Sequence, residues 1–311
     1  MKKTKYPIHP DFEPWSRMHP PIHRATLPAM QKLMGFLFLR EKSTPELRVE
    51  RVQIPAQDGT SLRALLYSPT ALTGPAPCLI DYHGGGFVFP AAPYHYALAR
   101  LYALRAGCRV LMPDYRLAPK HTFPTAPEDA YAAYAWAISH AEELAIDPAR
   151  VAVGGDSAGG TLAAAVGLMA AERGLPLPCA QMLIYPAVGL NEDSESMRLF
   201  TDTPMCNSRD AGKYDKLYMP DPSAGKPEYA APLHAPTLAG QPRAYIETAE
   251  FDCLRDSGIA FAARLEDEGV PAELHNTKGT MHGFDIVLGS SIVQACVDDR
   301  VDFLKRVFAA R

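Results

Sequence analysis

A serine between glycines has the clearest chemical potential in the chain. Ser157 is the centre of Gly-Asp-Ser-Ala-Gly at 155–159, after a β-branched apolar run at 151–153 and before a helix-forming run at 161–171. A serine on a tight strand-to-helix turn is the arrangement of a nucleophile elbow, in which only glycine fits two residues to either side. The helix N-terminus there favours developing negative charge. The alternative is a glycine-rich loop whose serine caps a helix.

A serine hydroxyl needs a base to take its proton and a third group to orient that base. Downstream of Ser157 the sequence holds three histidines, His234, His275 and His282. His275 falls within a strand pattern, and His234 lies between prolines in an apparent linker. His282 lies in a glycine-flanked loop after the last predicted strand, and such a loop can reach over the elbow from the carboxyl edge of a sheet. We therefore predict that His282 is the base.

Four carboxylates are candidates for orienting the base. Glu250, Asp252 and Asp256 follow the seventh predicted strand, and Asp252 comes just past its end. Asp256 fits a helix N-cap, and Asp285 is too close in sequence to His282 to approach its ring easily from the far side. Asp252 is therefore the predicted acid, and the chain order Ser, Asp, His is that of α/β-hydrolases.

Acyl transfer also requires N–H donors aimed at the oxyanion of the tetrahedral intermediate. One donor is expected from Ala158, which follows the serine. The others are expected from the loop after the third predicted strand, where His-Gly-Gly-Gly stands at 83–86. Glycines let this backbone approach a substrate with its N–H groups exposed, although a bare glycine triplet is also compatible with a flexible turn.

Composition excludes several classes of protein. The 311 residues carry a net charge of -4 with 21% charged residues, so no basic surface indicates nucleic-acid binding. No apolar run reaches membrane-spanning length, and Lys2 and Lys3 are not followed by the apolar core of a signal peptide. The six cysteines form no C-x-x-C pair and have no histidine at zinc spacing. We expect a reduced, cytoplasmic protein without a metal or cofactor.

The elements that must position these residues alternate between strand and helix. Strands are predicted at 49–54, 62–67, 78–82, 109–112, 151–153, 181–185, 243–248 and 272–275, and helices at 25–40, 94–106, 126–141, 161–171, 211–217 and 291–310. This alternation predicts βαβ units and a mostly parallel sheet. The expected fold class is α/β.

Two segments do not fit that alternation. A polar stretch at 188–237 interrupts the sheet pattern, and long insertions of this kind are often functional lids. The amphipathic helix in segment 1–45 precedes every strand, so it is either part of a lid or a terminal helix packed on the core. We predict one α/β domain made of 46–187 and 238–311, with 1–45 and 188–237 as cap segments.

Ordered motifs in the chain resemble those of the hormone-sensitive-lipase-like (bacterial family IV) esterases of the α/β-hydrolase fold. They are His-Gly-Gly-Gly-Phe at 83–87, Asp-Tyr-Arg-Leu-Ala-Pro at 114–119, Phe-Pro at 123–124 with Glu-Asp-Ala at 128–130, Gly-Asp-Ser-Ala-Gly-Gly at 155–160, Asp-Cys-Leu-Arg-Asp at 252–256 and Met-His-Gly-Phe at 281–284. The resemblance implies an eight-stranded, mostly parallel sheet flanked by helices. It also implies a helical cap from the N-terminus and from an insertion after strand 6.

The resemblance also implies a role for each site residue. Ser157 is the expected nucleophile, His282 the base and Asp252 its orienter. Gly84, Gly85 and Ala158 are the expected oxyanion hole, with His83, Gly86 and Asp156 as supporting residues. The chain departs from the family pattern at Pro90, Ala91, Tyr96, Lys120 and Cys253, positions that bear on pocket shape and not on the reaction.

The expected function is that of a serine carboxylesterase acting on small short-chain acyl esters through an acyl-enzyme intermediate. The alternatives are an arylacetamide-type amidase or deacetylase, a peptidase, and a non-catalytic ligand-binding receptor on the same fold, like the plant gibberellin receptors. Those receptors lack the catalytic histidine, so His282 favours an enzyme. A long-chain lipase is less expected, although apolar residues at 36–38 keep it open. The resemblance also makes a homodimer possible, through the last strand and helix.

Overall fold

The strands form one sheet in the computed structural model, which describes residues 5–189 and 193–310. They are β1 (Leu47–Pro55), β2 (Ser61–Pro69), β3 (Ala76–Tyr82), β4 (Arg109–Asp114), β5 (Ile146–Asp156), β6 (Gln181–Ile184), β7 (Ala244–Phe251) and β8 (Ala272–Met281). Their spatial order is β1-β2-β4-β3-β5-β6-β7-β8. β2 pairs antiparallel with β1 and β4, and the later neighbours pair in parallel. The predicted eight-stranded, mostly parallel sheet is therefore confirmed.

Helices cover the sheet, which buries both faces of its central strands. They are α1 (Leu27–Arg40), α2 (Pro93–Ala106), α3 (Thr125–Ser139), α4 (Ala158–Arg173), α5 (Glu195–Leu199), α6 (Ser208–Tyr218), α7 (Arg255–Asp267) and α8 (Ser291–Ala309). Cys78, Leu79 and Ile80 of β3 are fully buried, as expected for a parallel strand between two helical layers. Of the described helices, none has the length and apolar character needed to cross a bilayer.

The last strand is longer than its sequence pattern predicts. The apolar alternation ends at 275, but β8 continues to Met281 because Asn276 and Thr277 pair in register with Thr248 and Ala249 of β7. A hydrophobicity pattern does not predict such pairing where the side chains at a sheet edge are polar. His282 therefore follows the last residue of β8 directly and is not separated from it by a long loop.

Both irregular segments contain short helices and contact each other. The N-terminal segment holds a 3-10 helix, Pro10–Trp15, followed by α1, and the insertion after β6 holds α5 and α6. The Met205 N–H of the insertion donates to the Met18 carbonyl oxygen at 2.7 Å. Lys2, Lys3 and the stretch 190–192 of the predicted insertion lie outside the described residues.

Candidate active site

Ser157 occupies the sharp turn between β5 and α4. Its backbone has φ 54° and ψ -119°, a conformation that costs free energy in a non-glycine residue and marks functional turns. A Cβ at Gly155 or at Gly159 would collide with the carbonyl oxygen of Tyr82. The Ser157 N–H donates to the Ile184 carbonyl oxygen of β6 at 2.8 Å, which ties the turn to the sheet. The crowding expected of a nucleophile elbow is present.

Three side chains from distant parts of the chain form one hydrogen-bonded line. His282 Nε2 lies 2.9 Å from Ser157 Oγ, and His282 Nδ1 lies 2.7 Å from Asp252 Oδ2. The other carboxylate oxygen of Asp252 accepts the Leu254 N–H at 3.0 Å, which fixes the plane of the acid. An imidazole that donates through Nδ1 to a carboxylate presents the lone pair of Nε2 to the serine hydroxyl. The line can therefore transfer the serine proton.

Burial and charge act in opposite directions on the histidine. Burial lowers the pKa of His282 and is the largest single effect, but the charges of Asp252, Cys206 and Asp156 and the hydrogen bond to Asp252 together raise this pKa to about 9. Asp252 is fully buried, whereas His282 and Ser157 are each 8% exposed. The acid therefore stabilises an imidazolium, and the histidine and serine still reach the cavity above them.

The glycine loop between β3 and α2 corrects one predicted oxyanion donor. The Gly84 N–H donates to Asp156 Oδ1 at 2.7 Å, so it does not face a substrate and its prediction as a donor is wrong. Gly85 and Gly86 have φ values of 122° and 59°, and within 5–189 and 193–310 their N–H groups donate to no protein acceptor. The same holds for the Ala158 N–H at the start of α4. Gly85, Gly86 and Ala158 are thus the three positions with available donors.

A buried network holds this loop in place. His83 Nδ1 donates to the Gly84 carbonyl oxygen at 2.7 Å, and the ring of His83 stacks on Tyr115 at 4.4 Å. Burial lowers the pKa of His83 to about 4, so the ring is neutral and carries a single donor. It therefore fixes the backbone of the loop and does not face the serine.

Asp156 anchors the same loop from the elbow side. Its carboxylate lies 3.1 Å from His95 Nε2 and accepts the Tyr94 hydroxyl at 3.1 Å. Burial alone raises the pKa of Asp156, but the charge of His95 and the Gly84 N–H lower it to about 2. Sequence reasoning missed His95 and Tyr94, whose only signal is a polar pair on a helix that follows the glycine loop.

The remaining candidate acids are occupied elsewhere. Glu250 accepts the Gly279 N–H at 2.7 Å, and Asp256 accepts the Ser196 N–H at 2.7 Å. Asp285 accepts the Tyr185 hydroxyl at 2.8 Å and pairs with Arg300 at 3.0 Å.

The other two histidines also lie apart from the serine. His275 stacks on Tyr245 at 4.5 Å, and His234 ends a 3-10 helix in the insertion. The structure therefore brings together the predicted members, Ser157, Asp252 and His282.

A cavity of about 580 Å³ opens above Ser157. Its wall is mostly apolar and comes from both irregular segments, with methionines at positions 18, 30, 34, 197 and 205. Pro90 and Cys253, two of the positions that depart from the family pattern, line it as well. The Sγ atoms of Cys253 and Cys206 are 3.7 Å apart on this wall. A shaped apolar cavity over the serine suits a small uncharged ester group.

No cluster of three or more histidine, cysteine, aspartate or glutamate side chains suited to a metal ion occurs in the part of the chain that the structure describes. The side chains of Ser157, His282 and Asp252 are hydrogen-bonded to one another. The arrangement can activate a serine and stabilise an oxyanion with its own side chains and N–H groups.

The chain is similar to known esterases in sequence and in structure. The sequence profile of the alpha/beta hydrolase fold family matches residues 79–286. Esterase LipI of Mycobacterium tuberculosis is 36% identical over 79% of this chain and 77% of its own length. The ethyl acetate hydrolase of Pseudomonas putida is 34% identical over 79% of this chain and 78% of its own. The structure of a bacterial heroin esterase covers 97% of this chain and 98% of its own, with 33% identity and a TM-score of 0.88.

The chain therefore belongs to the α/β-hydrolase family, among its hormone-sensitive-lipase-like esterases. Within that family it is a carboxylic ester hydrolase. The resemblance inferred from the ordered motifs is confirmed, and an enzyme is favoured over a receptor.

Proposed function

We propose that this carboxylesterase hydrolyses small short-chain acyl esters with Ser157 as nucleophile and His282 as base. Asp252 orients His282 and stabilises its protonated form. The observation that carries the proposal is the continuous line from Asp252 through His282 to Ser157, with distances of 2.7 and 2.9 Å, below an apolar cavity. A serine, a base and an orienting acid in hydrogen-bond contact are the parts that acyl transfer needs.

In the first half-reaction, Ser157 Oγ attacks the ester carbonyl carbon while His282 Nε2 takes its proton. The carbonyl oxygen becomes an oxyanion, and the N–H groups of Gly85, Gly86 and Ala158 are the proposed donors to it. Each such donor contributes a factor of about 10²–10³ to turnover. The imidazolium then protonates the leaving alcohol, and an acyl-serine remains.

In the second half-reaction, water replaces the alcohol. His282 takes a proton from this water, which attacks the acyl carbonyl, and the same N–H groups stabilise the second oxyanion. The imidazolium returns the proton to Ser157 Oγ as the acid product leaves. The proton from water thus replaces the one that left Ser157 with the alcohol.

We propose that segments 1–45 and 188–237 act together as a cap over this site. Support comes from the cavity wall, to which Met18, Met30 and Met34 contribute from one segment and Met197 and Tyr214 from the other. Because these side chains are apolar, the cap excludes water from the acyl group and limits the length of acyl chain that fits.

The test is hydrolysis of p-nitrophenyl esters from acetyl to long acyl chains, with Ser157→Ala in parallel. We expect turnover of the short esters, and we expect Ser157→Ala to abolish it while the thermal midpoint stays nearly unchanged. Retained turnover in this variant contradicts the nucleophile assignment. Activity confined to aryl amides favours the amidase, and a preference for long acyl chains favours the lipase.

We also propose a cytoplasmic homodimer. The location is supported by the six cysteines, all unpaired thiols, because disulfides are rare in reducing compartments.

The dimer is supported by β8, which lies at the edge of the sheet and leaves Leu274 43% exposed. Light scattering is expected to give the mass of a dimer, and Leu274→Arg is expected to give that of a monomer. A wild-type monomer contradicts the dimer.

A further inference from the structure

One carboxylate in the wall of the substrate cavity has no partner among the residues that the structure describes. The acidic residues of the described wall are Asp156 and Asp215, and that wall includes neither lysine nor arginine. Asp156 is paired with His95 and with the Gly84 N–H. The carboxylate of Asp215, on α6, makes no hydrogen bond or ion pair with any residue in 5–189 and 193–310.

Three histidines also line the described wall, but His95 pairs with Asp156, His282 pairs with Asp252, and His19 is not bonded to Asp215. Asp215 is partly buried, and a carboxylate in an apolar wall without a counter-charge is costly, which favours binding of a cation there.

The cavity wall that includes Asp215 also holds aromatic rings and thioethers. Phe87, Phe89 and Tyr214 line the same wall, and the rings of Phe89 and Tyr214 meet edge to face at 6.1 Å. Met30 and Met34 of α1 also line this wall. Aromatic faces attract alkylammonium groups, and soft apolar side chains accommodate their methyl groups.

Asp215 lines the same cavity as Ser157 and His282. A Cβ added to Gly86 would collide with the ring of Tyr214, so the residue next to Asp215 packs directly on the glycine loop. Burial raises the pKa of Asp215 to about 6. A cation bound beside it reverses that shift, because an opposite charge favours the ionised carboxylate.

We propose that Asp215 is the counter-ion of a subsite for an ammonium group, and that the preferred esters carry a cationic amine in the part of the molecule that this subsite holds. The proposal rests on the esterase function proposed above. It adds a charge preference to a cavity whose wall is otherwise apolar.

The test compares esters that differ only in charge. The first pair is acetylcholine and 3,3-dimethylbutyl acetate, with the charge in the alcohol part. The second pair is the p-nitrophenyl esters of 4-(trimethylammonio)butanoic acid and 5,5-dimethylhexanoic acid, with the charge in the acyl part. We expect kcat/KM of the cationic ester to exceed that of its neutral isostere by about tenfold in at least one pair, as for a contact with one charged group.

Asp215→Asn is expected to bring that ratio close to one. A ratio of two substrates on one enzyme preparation does not depend on how much of the variant is folded. Asp221→Asn is the matched control, since it removes an exposed carboxylate of the same insertion outside the cavity wall, and its ratio is expected to equal that of the wild type.

A second readout needs no assumption about which part of the ester the subsite holds. Tetramethylammonium is expected to inhibit p-nitrophenyl acetate hydrolysis competitively, with an inhibition constant raised about tenfold in Asp215→Asn. The proposal is overturned if neither pair favours the cation, or if the preference survives Asp215→Asn. If the enzyme hydrolyses neutral esters without any charge preference, the ammonium subsite is contradicted and the esterase function is not. If it hydrolyses no ester, both proposals are contradicted.

Discussion

Asp252 uses its two oxygens for different tasks, one on the Nδ1–H of His282 and one on the Leu254 N–H. Asp252→Asn keeps the shape of the side chain but removes its charge and offers His282 an amide N–H. This favours the wrong tautomer, so we expect kcat for p-nitrophenyl acetate to fall by a factor of about 10⁴. Asp256→Asn is the control and is expected to keep turnover near the wild-type value. If Asp256→Asn or Glu250→Gln is the damaging change instead, the acid assignment is wrong.

The pKa of His282 also predicts a pH profile. A base must be neutral to act, and the charges near His282, with that of Asp252 the largest of them, together raise its pKa to about 9 against the opposing effect of burial. We therefore expect kcat/KM to rise with pH through the neutral and mildly alkaline range and to level off near that pKa. Stopped assays on p-nitrophenyl acetate, with the rate of Ser157→Ala subtracted, measure it. A flat or falling profile between pH 7 and 9 contradicts this account.

Spacing and residue type were sufficient to predict the three residues of the hydrogen-bonded line, but not every donor near them. Gly84 was predicted as a donor from the resemblance of the His-Gly-Gly-Gly motif to that of the esterase family. Its N–H instead turns toward Asp156, a residue far away in sequence that also pairs with His95. The direction of an N–H depends on such tertiary contacts and leaves no trace in a local motif. Asp215 was also missed from the sequence. A charged residue on an amphipathic helix is ordinarily solvated, so its position in a cavity wall depends on tertiary contacts.

At the scale of elements, a buried ion network attaches α8 to the sheet below the His282 loop. Arg300 contacts Glu247 of β7 at 2.8 Å and Asp285 at 3.0 Å, and all three side chains are almost fully buried. Arg300→Met leaves two carboxylates without a counter-charge, so we expect the free energy of unfolding to fall by about 3–5 kcal/mol. Urea denaturation measures the loss.

Arg306→Met is the matched control on the same helix. Arg306 pairs with Glu273 at 2.6 Å, but both side chains are about half exposed. An exposed pair contributes about 0–1 kcal/mol, so this variant is expected to unfold close to the wild type. Equal losses in the two variants show that burial of the Arg300 network does not matter and refute the prediction.

The elements themselves were well predicted where their hydrophobic period was clear. The helix predicted at 211–217 is Ser208–Tyr218, and the one predicted at 291–310 is Ser291–Ala309. β5 and β8 are both longer than predicted, because their polar ends pair with neighbouring strands through backbone groups alone. Backbone pairing does not depend on side-chain polarity, so the apolar period marks the buried part of a strand and not its end.

At the scale of the whole molecule, the N-terminal segment is tied to the loop that carries His282. The His9 N–H donates to the Gly279 carbonyl oxygen at 2.8 Å, and the Ser290 hydroxyl donates to Asp11 at 2.6 Å. These bonds flank His282 on both sides in sequence. The segment therefore does more than line the cavity, because it also restrains the backbone that holds the base.

Phe12 is the apolar centre of this attachment. It is fully buried, and its ring meets Phe284 edge to face at 6.2 Å, two residues after His282. Phe12→Ala is expected to lower the free energy of unfolding by about 3–5 kcal/mol through the cavity it leaves. It should also lower kcat at temperatures where the variant is folded, because Phe284 loses its support.

Leu33→Ala is the control for Phe12→Ala, since it removes an apolar side chain from the same segment where that side chain is 70% exposed. Its free energy of unfolding is expected to change by no more than about 0.5 kcal/mol. Urea denaturation and kcat on p-nitrophenyl acetate compare the two variants. If Phe12→Ala resembles Leu33→Ala in both measurements, the N-terminal segment only covers the site. If it loses stability and turnover together, the segment is part of the framework that positions His282.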